Sequence, residues 1–135
     1  MEFFEFDDKT GKLAPRQILP SLPDTYTGEG QASASIMSEN GKILLGSNRI
    51  HESIVTYRID QNTGYMTLLD FYPTLGLTPR FITFDPDYRH FYIANEDSDT
   101  IVETTLNEET GRLDYTGRII ATESPVCITF KEETR

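Results

Sequence analysis

A run of turn-forming residues that ends in Thr-Gly occurs three times in this chain. It reads Asp7-Asp8-Lys9-Thr10-Gly11-Lys12-Leu13, then Asp60-Gln61-Asn62-Thr63-Gly64-Tyr65-Met66, then Asn107-Glu108-Glu109-Thr110-Gly111-Arg112-Leu113. Turn formers closed by glycine and followed by an apolar residue are the signature of a β-hairpin. The three glycines stand 53 and 47 residues apart, Asn48 and Asn95 are 47 apart, and Pro79 and Pro125 are 46 apart. Several unrelated markers thus share one period near 47. A period of that size limits the fold to stacked copies of one supersecondary unit, each burying its apolar face against the next.

Strands can be counted within a period. Ala32–Met37, Lys42–Ser47, Ser53–Ile59 and Met66–Tyr72 make one set, and Arg80–Phe84, His90–Ala94, Thr100–Leu106 and Leu113–Ala121 make the next. Glu2–Phe6 reads as a strand that leads into the first Thr-Gly turn. Pro125–Phe130 reads as the first strand of a further unit. No stretch carries a helical period, and the prolines of Leu19-Pro20-Ser21-Leu22-Pro23 break any helix near them. Four short antiparallel strands per unit predict an all-β fold, a partial β-propeller of four-stranded blades. An ordinary β-sandwich also spaces its strands regularly, but the repeated Thr-Gly phrase and the Asn48/Asn95 match favour the propeller.

Residues 1–135 are expected to be a portion of one propeller domain. Its blade repeats lie at about 30–75 and 78–121, and its partial blades at 1–20 and 124–130. A propeller has at least four blades, so this stretch does not close a ring alone. Open strand edges and apolar blade faces are then expected to be covered by self-association or by further blades.

The charge balance excludes several partner classes. With 22 acidic against 12 basic residues the formal net charge is -10, which repels nucleic acid and anionic membranes, so neither is an expected partner. No apolar run approaches the ~20 residues of a membrane helix. Met1-Glu2-Phe3-Phe4-Glu5 does not read as a secretory signal. Cys127 is the single cysteine, which excludes an internal disulfide and fits a reducing, cytoplasmic setting.

The densest group of chemically competent side chains is Gly46-Ser47-Asn48-Arg49-Ile50-His51-Glu52-Ser53-Ile54, placed at a tight connection between two strands. If the segment is extended, alternation puts Arg49 and His51 on one side. His51 has the natural pKa of a general base; it equally suits a turn-pinning hydrogen bond. Glu52 reads as a turn acid that pairs with Arg49 or caps backbone donors. Arg80 follows Pro79 at the start of an inner strand, suited to an anion or to an inter-blade ion pair. The acid run Glu96-Asp97-Ser98-Asp99 lacks the glycine and distal glutamate of a calcium loop and reads as a solvated turn. Cys127 falls in an apolar stretch, expected to pack in the core rather than to act as a nucleophile with His51 or His90. No phosphate-cradling glycine loop, zinc spacing or Gly-x-Ser-x-Gly elbow is present, and no cofactor is expected.

Four phrases in series resemble the lactonase family of seven-bladed propellers, which includes propeller-type 6-phosphogluconolactonases and fungal carboxy-muconate cyclases. They are Ser47-Asn48-Arg49-Ile50-His51-Glu52-Ser53-Ile54, Thr78-Pro79-Arg80-Phe81, Ala94-Asn95-Glu96-Asp97-Ser98-Asp99 and Ser124-Pro125-Val126-Cys127. The resemblance covers essentially the whole chain and implies the C-terminal portion of such a protein. Ile50, Glu52 and Glu96 stand where the family usually has Gly, Asp and Gln. A β-branched residue at Ile50 is costly if the backbone there needs a positive φ.

The resemblance implies metal-free hydrolysis of a small anionic lactone such as 6-phosphogluconolactone. Arg49 and Arg80 would bind the substrate, with Arg49 also a catalytic candidate at the oxyanion and His51 assisting proton transfer. It also implies that other candidate catalytic positions lie in blades outside this stretch, so the chain alone is expected to have little or no activity. The competing readings are a muconate-type cycloisomerase and a non-catalytic binding propeller.

Overall fold

The computed structural model describes residues 1–131. Ten strands run in chain order: β1 Glu2–Asp7, β2 Lys12–Ile18, β3 Gln31–Met37, β4 Ile43–Arg49, β5 Ser53–Ile59, β6 Met66–Pro73, β7 Pro79–Phe84, β8 Phe91–Asn95, β9 Thr100–Asn107 and β10 Arg112–Ala121. A 3-10 turn, Glu96–Ser98, joins β8 to β9. The strands form one hairpin, β1-β2, and two four-stranded meanders, β3-β4-β5-β6 and β7-β8-β9-β10. All pairings are antiparallel. These are two complete propeller blades and the two-stranded part of a third, as the repeat predicts. Among the described residues no helix is long and apolar enough to cross a membrane.

The three Thr-Gly phrases close their hairpins in one way. The side chains of Asp7, Asp60 and Asn107 accept the amides two and three residues on: Lys9 and Thr10, Asn62 and Thr63, Glu109 and Thr110. The main-chain carbonyls of the same three residues accept the amides of Gly11, Gly64 and Gly111. Those glycines have φ of 68°, 76° and 76°, the left-handed region that a residue without Cβ enters without strain. Asp and Asn lead the turn because their short oxygens mimic a backbone acceptor.

Period-2 alternation sorts each blade into two faces. Ile43, Leu45 and Ile54 of the first blade pack with Ile82, Phe84, Phe91, Ile93, Val102 and Leu113 of the second. On the other face, Val55, Tyr57 and Met66 pack with Met1 and Phe3 of the hairpin and with Leu19 of the following loop. Strands β4 and β5 are therefore buried on both sides. Each fully buried Leu, Ile or Phe there contributes about 1.5–3 kcal/mol. Gln17 ties the hairpin to the first blade twice, donating from Nε2 to the Met66 carbonyl at 2.8 Å and accepting the Met66 amide at 2.7 Å.

Two expectations about the C-terminal segment are corrected. Pro125–Phe130 forms no strand, because no neighbouring strand pairs with it. Cys127 is exposed rather than packed in the core, because no blade covers that segment.

Candidate functional site

The β4–β5 turn is built around two residues forced into left-handed backbone, Ile50 (φ 75°) and Glu52 (φ 54°). The positive φ that makes a β-branched residue costly at position 50 is thus real. The Glu52 carboxylate holds the turn: Oε1 accepts the Ile50 amide at 3.0 Å, and Oε2 accepts the Thr78 amide at 2.7 Å. The Glu52 carbonyl oxygen also accepts the Thr74 amide at 2.9 Å and the Thr74 hydroxyl at 3.1 Å. Glu52 caps backbone donors rather than pairing with Arg49, and it reaches across to the linker that leads into the second blade.

Arg49 ends β4, opposite Gln31 of β3. Counting back along β4, it shares a face with Leu45 and Ile43, the face turned to the second blade. Its Nε is buried without a hydrogen-bond acceptor. Among the described residues no carboxylate forms an ion pair with it. A buried, unmatched donor of this kind is costly. Its counterpart 47 residues on is Glu96, so the charge at this position reverses between blades.

His51 lies elsewhere. Its Nδ1 is 2.7 Å from the Ser53 hydroxyl oxygen. Its ring meets Tyr26 edge-on at 4.6 Å and Phe71 at 6.3 Å between centroids. Phe71 packs with Val55 and Tyr57 on the face turned to the first hairpin, opposite to the face of Arg49. The expectation of a shared side is corrected, because it held only for extended backbone. Residues 50–52 turn, and the alternation is lost. Tyr26 had no sequence signal; it arrives on the long β2–β3 connection, where its hydroxyl donates to the Glu29 carbonyl at 2.8 Å.

Arg80 lies near the start of the inner strand β7, exposed, with its Nε 4.0 Å from Glu96 Oε2. That pair lies within one blade, not between blades as an inter-blade bridge would. The Arg80 carbonyl oxygen accepts the Ser33 hydroxyl of β3 at 2.9 Å. Arg49 and Arg80 are thus both anchored at the start of β3, one through Gln31 and one through Ser33.

The buried Asn48 and Asn95 are architectural. Asn48 Nδ2 donates to the Ser21 carbonyl at 2.5 Å, and Asn95 Nδ2 donates to the Thr74 carbonyl at 3.0 Å. Each ties the end of a second strand to the chain entering its blade. The acid run is divided between the 3-10 turn and its neighbours. Asp97 accepts the Thr78 hydroxyl, and Asp99 Oδ1 accepts the Ser124 amide at 2.8 Å. Among the described residues no three His, Cys, Asp or Glu side chains converge as a metal-binding group. His90 sits in the turn at the opposite end of its blade, with Nδ1 2.9 Å from Asp85 Oδ2. Burial pushes the Tyr57 hydroxyl up to about 12.

The comparisons with known proteins agree with this architecture. The family model described as "Lactonase, 7-bladed beta-propeller" matches residues 1–130. The 6-phosphogluconolactonase of Bacillus subtilis (strain 168) is 29% identical over 126 residues, which is 93% of this chain and 36% of that protein. The periplasmic gluconolactonase PpgL of Pseudomonas aeruginosa superposes with a TM-score of 0.85 at 25% identity, over 92% of this chain and 34% of that one. A Lactobacillus plantarum protein superposes at 0.90 with 24% identity, over 97% and 38%, and shows the shared fold. The chain spans about a third of the length of the curated relatives it matches. Two complete blades, a matching hairpin and a family match over nearly every residue lead to one assignment: the chain belongs to the lactonase family of seven-bladed β-propellers.

Proposed function

We propose that this chain supplies the anion-binding part of a lactonase-type propeller that hydrolyses a sugar lactone such as 6-phosphogluconolactone. The proposed setting is the cytoplasm and the pentose phosphate pathway of carbohydrate metabolism. One observation carries the reading: the Arg49 guanidinium ends β4 with a buried Nε that has no acceptor, where the repeat has an acid in the next blade. A planar fork with an unmatched donor suits the phosphate or carboxylate of the substrate.

In the proposed reaction water adds to the lactone carbonyl, the ring C–O bond breaks, and the freed oxygen takes a proton, leaving a sugar acid. A guanidinium close to the carbonyl stabilises the oxyanion on the way. Arg80 adds a second, solvent-facing cation. His51 keeps Nε2 for proton transfer, since Nδ1 is engaged with Ser53. Its place on the other blade face makes Arg49 the group on which the reading rests.

The chain alone is proposed to turn over little or no lactone, and its open faces to be covered by further blades or by a second copy. The test is a chimera in which residues 1–130 replace the matching third of the Bacillus subtilis relative, assayed with 6-phosphogluconolactone and with a muconolactone. Arg49→Ala is expected to lower turnover of the phosphorylated lactone roughly 10²-fold or more without lowering the melting temperature. Full turnover by the Arg49→Ala chimera, or robust turnover by the 135-residue chain, overturns the proposal.

A further inference from the structure

We infer that Glu52 is the positioning residue that sets Arg80 relative to Arg49. The inference rests on the reading that these two arginines take the anionic end of the substrate. One carboxylate joins the two segments that carry them. Oε1 holds the Ile50 amide, next to Arg49, and Oε2 holds the Thr78 amide, separated from Arg80 only by Pro79. Proline fixes its own φ, so a fixed Thr78 passes its position on to Arg80 with little slack. Thr78 itself has φ 58°, a strained conformation that the carboxylate helps to hold. The common reference is β3, whose Gln31 pairs with Arg49 and whose Ser33 hydroxyl bonds to the Arg80 carbonyl.

The second blade shows that the arrangement is built rather than accidental. Asp99, with φ 55°, stands at the place of Glu52. Its carbonyl oxygen accepts the Thr122 amide at 2.9 Å, as that of Glu52 accepts Thr74. Its Oδ1 accepts the amide of Ser124, which has φ 38° and precedes Pro125 as Thr78 precedes Pro79. The end that holds the residue before proline is therefore a repeated architectural device, whereas the second end is not: the Asp97 amide, counterpart of the Ile50 amide, donates to the Leu77 carbonyl instead. Only in the first blade does the carboxylate hold two amides, and both stand beside cations; in the second blade the counterpart of Arg49 is Glu96, and the residue after Pro125 is Val126. An inter-blade clasp has there become the spacer of an arginine pair.

The test uses the isotope-labelled 135-residue chain, followed by NMR through its backbone amides and arginine Nε–H groups. Without ligand, Glu52→Gln keeps one of two acceptor oxygens. It is expected to speed exchange of the Ile50 or Thr78 amide about 10-fold and to move the Arg80 Nε–H resonance, with the Ser124 amide unchanged. Glu52→Asp is expected to restore most of this. With 6-phosphogluconate as the probe, the unmodified chain is expected to shift Arg49 and Arg80 together. Glu52→Ala is expected to weaken the Kd about 10-fold and to leave Arg80 unmoved. Adding Ile50→Gly to Glu52→Ala relieves the strained turn and is expected to restore the melting temperature but not the affinity; recovery of both would reduce Glu52 to a stabilising role and overturn the inference. Unchanged Ile50, Thr78 and Arg80 signals in unliganded Glu52→Gln also overturn it. If 6-phosphogluconate leaves both arginines of the unmodified chain unmoved while Glu52→Gln still displaces Thr78 and Arg80, the positioning by Glu52 stands and the substrate reading falls.

Discussion

Glu52 and Asp99 stand 47 residues apart and make the same two links in successive blades. Each adopts a positive φ, 54° and 55°. Each accepts through its carbonyl oxygen the first amide after the outer strand, that of Thr74 or Thr122. Each carboxylate accepts the amide of the residue before a proline, Thr78 or Ser124. The start of the next inner strand is thereby placed by the turn of the preceding blade.

The first prediction concerns that turn. Ile50 holds a φ of 75° while it is 47% exposed, so it carries strain and leaves nearly half its surface to solvent. Ile50→Gly is expected to raise stability by about 1 kcal/mol, the cost of left-handed backbone for a residue with a Cβ less part of the chain entropy of glycine. The midpoint of urea unfolding reads this directly, and a lowered midpoint would show that the Ile50 side chain contributes more than its backbone loses.

Alkaline stability follows from two tyrosines, the buried Tyr57 and the partly buried Tyr115. Burial pushes both Tyr57 and Tyr115 up to about 12, with the neighbouring Tyr72 adding to the second, against an ordinary value of 10.0. The folded chain then binds more protons than the unfolded chain between those values. Stability is complete below pH 10 and falls as the pH rises towards about 12. Phenolate absorbance is expected to show these two residues titrating late, together with the onset of unfolding; titration of all seven tyrosines near 10 in the folded chain would contradict this.

Acid acts on two of the three Thr-Gly turns. The Thr10 hydroxyl and the Lys9 amide hold the Asp7 carboxyl below its usual 3.8, and the Thr63 hydroxyl and the Thr63 and Asn62 amides do the same for Asp60. Depressed carboxyls stabilise the fold above 3.8 and lose that contribution as the pH falls through their folded values. The third turn uses Asn107, which does not titrate. Amide exchange at Asn62 and Thr63 is expected to rise in acid beyond the intrinsic rate, while Glu109 and Thr110 keep their protection. Equal loss at all three turns would count against the carboxylates as the cause.

Association is expected from the outer faces. Phe6, Leu13 and Ile18 of the hairpin are 62%, 62% and 73% exposed, and Ile119 and Val126 at the other end are 55% and 50% exposed. Apolar groups gathered at two blade faces favour contact with a second copy. Light scattering is expected to show mass rising with concentration, and rising further in salt that screens the net charge of -10. A monomer at the highest concentration reached would remove this expectation.

The blade architecture was legible because the period of the turns and the alternation of the strands are local properties. Ser53–Ile59 was bounded from its β-branched and aromatic run alone, and Asp60 to Gly64 announced its hairpin through turn chemistry. Arg49 was legible as a candidate because its phrase, Ser47 to Ile54, resembles that of the lactonase family. The division of Arg49 and His51 between opposite faces was not legible, since it depends on two left-handed residues in a turn that the phrase itself does not reveal. Tyr26 against His51 was hidden for a different reason: the contact joins residues 25 apart through an irregular connection.

By itself, then, the amino-acid sequence determined the repeat, the four-stranded units, the hairpin turns and the family, all of which rest on short-range stereochemistry and on the periodic placing of apolar groups. Only the tertiary structure decided that Glu52 spans to Thr78, that Arg49 has a buried Nε without an acceptor, and that Cys127 lies exposed. Those outcomes depend on which blade packs against which, and packing between blades is fixed by contacts among residues far apart in the chain.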